Sequence, residues 1–464
     1  MTSNGRIGPR IALAVAAAVV MLAAAAPSAS ASNHVTWING FDAPDTPQRF
    51  DKVGILKQGP RKARNVLVLN PGTSASSGYF APLARTLVKE VKGWQVWSVE
   101  RRENLLEDQS VLELAKEGKV TPKRLFDYYL GWLTDSSITN HFRLIPDSEV
   151  GFARKWGMRV EVKDLRRVVK AAGRRCRRVV LGGHSLGGSI TTAYATWDFN
   201  GKPGVRGLSG LVFIDGGSNP TPITQEQAKQ SLQDLQTSSP WLAFGGIAAP
   251  FAGLFNSGGS TAAIIAPNAP SLGQAFPLLP ADLKAPVPAT NLAQYGYALD
   301  AETSPPALAA AQAHLGHLAA SGDPRGWDQA GEITPIRRYA KMFSGWGLKN
   351  VDGTAWYHPK RLTIDAGAVG DGNPNPAQQV LGVKAIHGDK VKVPMYAFGA
   401  ALGGQGVLDD ARTLAQQSHL PKRKLTLINR QGTYAHNDPA GALPKNVFLE
   451  HLVPFLERIG RPNR

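Results

Sequence analysis

The sequence predicts an α/β fold: a mostly parallel central sheet flanked by helices, with a large inserted lid or cap. Three observations carry this prediction. Short apolar runs rich in valine and isoleucine recur at 66–69, 96–99, 179–181, 211–214, 395–398 and 425–428, each bounded by turn residues. Near-continuous apolar runs of this length suit strands buried on both faces of a parallel sheet. Helical patterns at 79–91, 160–172, 189–196 and 407–417 lie between them, and strand alternating with helix defines the α/β class. Finally, 219–390 is rich in proline, alanine and glycine, and no Asp, Glu, Lys or Arg occurs between Asp234 and Asp282 in a chain that is 19% charged. So long an uncharged stretch must contact something apolar.

In chain order, the first element is a leader. Arg6 and Arg10 precede an uncharged segment at 11–26, and Ala29-Ser30-Ala31 forms an A-x-A cleavage pattern. Residues 1–31 therefore read as a secretory signal peptide, so a secreted, extracytoplasmic protein is expected. A retained anchor is the competing reading, but 11–26 is shorter than the roughly 20 residues a membrane span requires. The single cysteine, Cys176, is far from this segment, which leaves no lipid-attachment cysteine at a mature N-terminus and no intrachain disulfide.

With 464 residues and 43% hydrophobic composition the chain can bury a large core, as one domain with insertions or as two domains. The expected division is a first core part at 32–218, the inserted lid or cap at 219–390 and a second core part at 391–464. A smaller insertion at about 104–157 holds Tyr128, Tyr129, Trp132 and Trp156. Within the long insertion, 240–255 is too short and too broken by glycine and proline to span a membrane. Trp241 and Phe244 in this stretch are candidates for substrate contact, with simple packing on the core as the alternative.

The net charge is +17, much of it at 163–178, where Arg166, Arg167, Lys170, Arg174, Arg175, Arg177 and Arg178 interleave with Leu165, Val168 and Val169. An amphipathic helix with a solvated basic face accounts for the pattern, and no nucleic-acid partner is expected. Electrostatic attachment to an anionic surface, lipid or cell-wall polymer, stays open.

The chemistry begins at Gly183-His184-Ser185-Leu186-Gly187. An apolar run precedes Ser185 and a small-residue helix start follows it. A serine on a sharp strand-to-helix turn tolerates only small neighbours, and its hydroxyl is exposed at the carboxyl edge of the sheet. The helix N-terminus behind it offers N–H groups to developing negative charge. On these residues the chain resembles the α/β-hydrolase superfamily, including its secreted bacterial serine esterases and lipases, over about 62–219 and 391–460.

The resemblance implies further roles. The loop after an early strand supplies one oxyanion N–H in this fold; here Asn70-Pro71-Gly72-Thr73-Ser74 follows 66–69, with Thr73 as the matching donor and Leu186 as the second. The base is expected after the last strand, where His436 stands in Tyr434-Ala435-His436-Asn437-Asp438. His314 and His317 lack an acidic pattern beside them and are expected at the surface. The acid often follows the strand at 395–398, but Leu402 or Gly403 occupies that place. Asp215, at the end of the run at 211–214, is the preferred acid, with Asp409 or Asp410 next; those two are otherwise explained as helix-start residues. Asp371 to Asn375 resembles the start of a calcium loop, but Pro376 and Gly382 break the pattern. No metal and no cofactor is expected.

The implied reaction is acyl transfer to water on a small-molecule or lipid ester with an apolar acyl group. A peptidase or acyltransferase using the same triad, or a secreted binding protein on a hydrolase scaffold, remains an alternative.

Overall fold

In the computed structural model, which describes residues 32–174, 177–219 and 221–461, every one of these apolar runs forms a strand of one sheet. The expected signal peptide and Cys176 lie outside the described residues. The chain starts with β1 (Thr36–Asn39), β2 (Lys52–Gln58), β3 (Asn65–Asn70), α1 (Ala81–Glu90) and β4 (Trp94–Glu100). The first insertion contributes α2 (Ser110–Lys116) and α3 (Pro122–Tyr129), and α4 (Met158–Ala172), β5 (Arg178–His184), α5 (Leu186–Thr196) and β6 (Gly210–Ile214) follow. The long insertion folds as α6 (Gln225–Thr237), α7 (Phe251–Ile265), α8 (Leu272–Ala275), α9 (Asn291–Leu299), the hairpin β7 (His317–Gly322) and β8 (Arg325–Asp328), α10 (Ile336–Phe343), α11 (Lys360–Ala366) and α12 (Pro376–Leu381). The chain closes with β9 (Met395–Gly399), α13 (Gly404–Gln417), β10 (Leu425–Asn429), α14 (Asp438–Gly441) and α15 (Val447–Gly460).

The sheet is 8-stranded in the order β1-β2-β4-β3-β5-β6-β9-β10. Strand β2 runs antiparallel to both its neighbours, β1 and β4, and from β4 across β3, β5, β6, β9 and β10 every adjacent pair is parallel. Side chains alternate across a strand, so Val66 and Val68 enter a core with α4, α5 and α13 while Leu67 and Leu69 enter another with α1 and α15. Both faces are dry along β3, β4, β6 and β9 and nearly so along β5, which is why the inner strands read as apolar runs, while the edge strand β10 is half-buried.

The register matters for function. Asn70 pairs with Gly183, His184 with Ile214 and Asn429 with Gly399, so the carboxyl ends of five strands align along one edge.

Two expectations about local structure need correction. The helix expected over the basic run ends at Ala172, and Arg178 already belongs to β5. Its basic face is only partly solvated, because the Lys163 ammonium lies 4.1 Å over the Phe41 ring and the Arg166 guanidinium 4.0 Å over Phe199. Helix α13 starts at Gly404, so Asp409 and Asp410 lie in its second turn rather than at its start.

The two insertions meet. Leu112, Leu125 and Tyr129 from the shorter one pack with Trp241, Leu254, Phe276 and Trp356 from the longer one in a third apolar cluster. The far end of the long insertion does something else: Leu362, Ala377, Leu381 and Val383 join the core beneath the sheet. Among the described residues, no helix is long and apolar enough to cross a membrane.

Candidate active site

Ser185 occupies the single residue between β5 and α5, with φ 56° and ψ −127°. A non-glycine residue there is strained, and the fold must enforce it. The enforcement is close packing: a Cβ on Gly183 would fall 2.1 Å from the Gly187 carbonyl carbon, and one on Gly187 would fall 2.2 Å from the Asn70 oxygen. Both glycines are required by contact, as the motif predicts.

His436 is 1% exposed in the loop after β10, and its Nδ1 lies 2.6 Å from Asp215 Oδ2. Its Nε2 is buried with no hydrogen-bond partner among the described residues. Asp215, at the end of β6, has φ 41°. Its Oδ1 accepts from the N–H groups of Ala400 (2.6 Å), Gly403 (3.0 Å) and Gly404 (3.1 Å), and its Oδ2 also accepts from Leu402 N at 3.2 Å. Burial alone would raise this carboxyl. The His436 hydrogen bond and charge, with the Ala400 N–H, outweigh burial and hold it below the usual carboxylate range.

These bonds explain a gap in the sequence. The turn after β9, where an acid was sought and none found, is a backbone cradle for the carboxylate of the neighbouring strand. A side chain on Gly403 would sit 2.9 Å from Asp215 Oδ1. Asp409, in contrast, is exposed and paired with Arg412, and Asp410 lies against Gly217.

Thr73 and Leu186 both border this centre. The loop is close, since a Cβ on Gly72 would lie 2.9 Å from Ser185 Cβ. Leu186 is the first residue of α5, so its N–H has no intrahelical acceptor. No hydrogen bond of Thr73 N is found among the described residues.

What holds the loop in place is Arg101, which sequence reasoning missed. It is 2% exposed, donates to the carbonyls of Pro71 (3.0 Å), Gly72 (2.9 Å) and Ala75 (3.0 Å), and pairs with Glu103 at 2.8 Å. Its neighbour Glu100 accepts from Ser77 N at 2.7 Å and, being buried, is raised to about 7. The signal was a charged run, Glu100-Arg101-Arg102-Glu103, at the carboxyl end of a buried strand.

His184 precedes Ser185 in the chain, and its contacts are specific. Its ring lies 5.1 Å from Tyr79 in a stack and 4.3 Å from the His436 ring. Burial, then the nearby His436 charge, lowers it to about 3, so at neutral pH its Nε2–H donates to the His436 carbonyl at 2.9 Å. Tyr79 Oη in turn donates to Asn437 Oδ1 at 2.8 Å. On the far side of the loop, Asp438 accepts from Ala435 N at 2.7 Å and from His314 Nδ1 at 2.6 Å. His314 is therefore a half-buried brace, not a surface residue, and the hydrogen bond to Asp438 raises its pKa.

A cavity of about 170 Å³ opens from Ser185 and His436 beneath the insertions. Its lining includes Thr73, Phe244, Leu254, Phe255, Phe276 and Tyr295, and no Asp, Glu, Lys or Arg. This accounts for the long uncharged stretch. The expectation for Trp241 is corrected: it is absent from the lining, 4% exposed, and packed between Trp156 and Tyr357. Among the described residues, no group of three or more His, Cys, Asp or Glu is placed to hold a metal ion.

The chain has the α/β-hydrolase fold that its residues predict, a mostly parallel sheet with a serine turn at its carboxyl edge. No protein-family model and no curated protein matches it. Among solved structures it is similar in outline to a Sulfolobus solfataricus protein provisionally assigned as a lipase (TM-score 0.45, 14% identity, 91% of this chain and 93% of that one). It is also similar to a soluble variant of monoglyceride lipase from Saccharomyces cerevisiae (0.38, 12%, 92% and 96%) and to a carboxylesterase structure from Nitrososphaera gargenis (0.39, 11%, 91% and 98%). Likenesses this distant carry nothing about the substrate.

Proposed function

We propose that the chain is a serine hydrolase that cleaves carboxylic esters with an apolar acyl group through an acyl-enzyme on Ser185. One observation carries the reading: a strained serine and an imidazole whose Nδ1 is bonded to a buried carboxylate line the same uncharged cavity.

In the proposed cycle Ser185 Oγ attacks the ester carbonyl while His436 Nε2 takes its proton. Asp215, held ionised by His436 and by its backbone cradle, orients the imidazole and stabilises the imidazolium. The N–H groups of Thr73 and Leu186 receive the oxyanion. His436 returns the proton to the leaving alcohol, then takes one from the water that attacks the acyl-enzyme and gives it to Ser185 Oγ as the Oγ–acyl bond breaks, which frees the acid. Phe244 contributes to the wall for the acyl group. We further propose secretion, on the segment ending at Ala31.

The test is a chain-length series of nitrophenyl esters beside nitroanilide amides, run on the wild type and Ser185→Ala. Ester turnover that Ser185→Ala abolishes is the expected result. Equal rates in the two proteins would overturn the proposal, and amide turnover matching ester turnover would make the chain a peptidase instead.

A further inference from the structure

Helix α7 carries three glycines, Gly253, Gly258 and Gly259, and glycine in a helix interior is destabilising relative to alanine. Two of the three have a packing reason. A Cβ on Gly253 would sit 2.8 Å from Trp356, and one on Gly259 would sit 3.2 Å from the Tyr295 ring.

Gly258 has none. Beyond its own stretch of helix, a Cβ there meets no atom within 4 Å, although the helix is packed against α2, α3, α9 and α10. The adjacent Ser257 is fully buried and bonds Asp352 and Thr354, so this part of the helix is anchored to the core. Gly258 lines the cavity that opens at Ser185. The space beside it therefore belongs to the cavity.

We infer that Gly258 keeps open the part of the cavity that receives the acyl chain, so that this position sets the acyl length accepted, and that the substrate is a neutral ester of a long acyl chain. The inference rests on the reading of Ser185 as the group that accepts the acyl unit. Ionised headgroups are excluded from this space by chemistry, since the lining offers no charged partner and an unpaired charge there would be desolvated at high cost. A methyl group at 258 would fill volume without displacing protein atoms, and thermal melting of each variant separates the effect on substrate from any effect on folding.

The experiment uses the full chain as wild type, Gly258→Ala and Gly258→Leu. Nitrophenyl acetate and nitrophenyl palmitate give the ratio of kcat/KM for long over short chains, and thermal melting gives the midpoint. The expected result is a midpoint unchanged or raised, with the palmitate-to-acetate ratio reduced at least ten-fold in Gly258→Leu and at least two-fold in Gly258→Ala. Ratios unchanged in both variants would overturn the inference. A second readout does not depend on turnover: in the Ser185→Ala background, a pyrene-labelled methyl ester of a long-chain acid is titrated by fluorescence. Binding weakened at least ten-fold by Gly258→Leu supports the inference even if no esterase activity exists, and undiminished binding refutes it even if esterase activity does.

Discussion

Replacing Arg101 by methionine tests how the loop proposed to receive the oxyanion is built. The guanidinium is buried and serves four acceptors: three carbonyls of the 71–75 segment and the Glu103 carboxylate. Methionine fills similar space but supplies no donor, so Glu103 is left as an unpaired buried charge. Breaking a buried pair in this way costs about 3–5 kcal/mol, and the orphaned carbonyls turn toward whatever donors they can reach. A domain in the middle or upper part of the typical range, about 5–15 kcal/mol, survives that loss. The consequence for catalysis is separate. Turning the Pro71 and Gly72 carbonyls re-aims the peptide that carries the Thr73 N–H, and loss of one oxyanion donor lowers kcat about 10²- to 10³-fold. KM for a long-chain ester changes little, because the apolar cavity does not include Arg101. Arg101→Lys restores one or two of the bonds and falls between. Urea unfolding and steady-state kinetics on a nitrophenyl ester read the two effects independently. If Arg101→Met is destabilised but keeps kcat within about three-fold of wild type, Arg101 only braces the fold and Thr73 is not an oxyanion donor.

Three further outcomes are expected. Asp215→Asn lowers kcat on the order of 10³- to 10⁴-fold by favouring the wrong imidazole tautomer, while exposed Asp409→Asn stays near wild type; the reverse result would move the acid to α13. Glu100 carries a pH signature: burial raises it from 4.5 to about 7 in the folded state, so its contribution to stability is complete below pH 4.5 and is lost as pH rises to 7. Relative to Glu100→Gln, the wild type should lose about 3 kcal/mol across that window by urea unfolding, and parallel stabilities would contradict the buried carboxyl. Trp241→Ala should cost about 3–5 kcal/mol of stability through its buried ring. Phe244→Ala should instead lower the palmitate-to-acetate ratio, with a much smaller change in unfolding.

The inner parallel strands were legible because burial on both faces writes each of them as an apolar run. Strands β1 and β2 were not, since β1 is four residues long and β2 carries Lys52, Lys57 and Gln58 among its apolar positions. Ser185 and His436 announced themselves through local sequence, a glycine-flanked turn and a loop after the last strand. Asp215 was legible as the acid closing the run at 211–214, but its cradle was not, because the cradle is made of the backbone N–H groups of Ala400, Leu402, Gly403 and Gly404, which leave no side-chain signature. Arg101 shows in the sequence only as part of a charged run after a buried strand; what it holds is hidden there, because three of its four acceptors are backbone carbonyls. Trp241 was misread because an aromatic in an uncharged stretch looks alike whether it faces a cavity or a tryptophan.

The reactivity of Ser185 is the claim on which the rest depends. Treating the full chain with a fluorophosphonate and locating the adduct by peptide mass spectrometry tests it directly. The account predicts one adduct, on the peptide containing Ser185, which Ser185→Ala abolishes and Arg101→Met slows. A folded wild-type protein that takes up no label, or takes it up equally in Ser185→Ala, would contradict it.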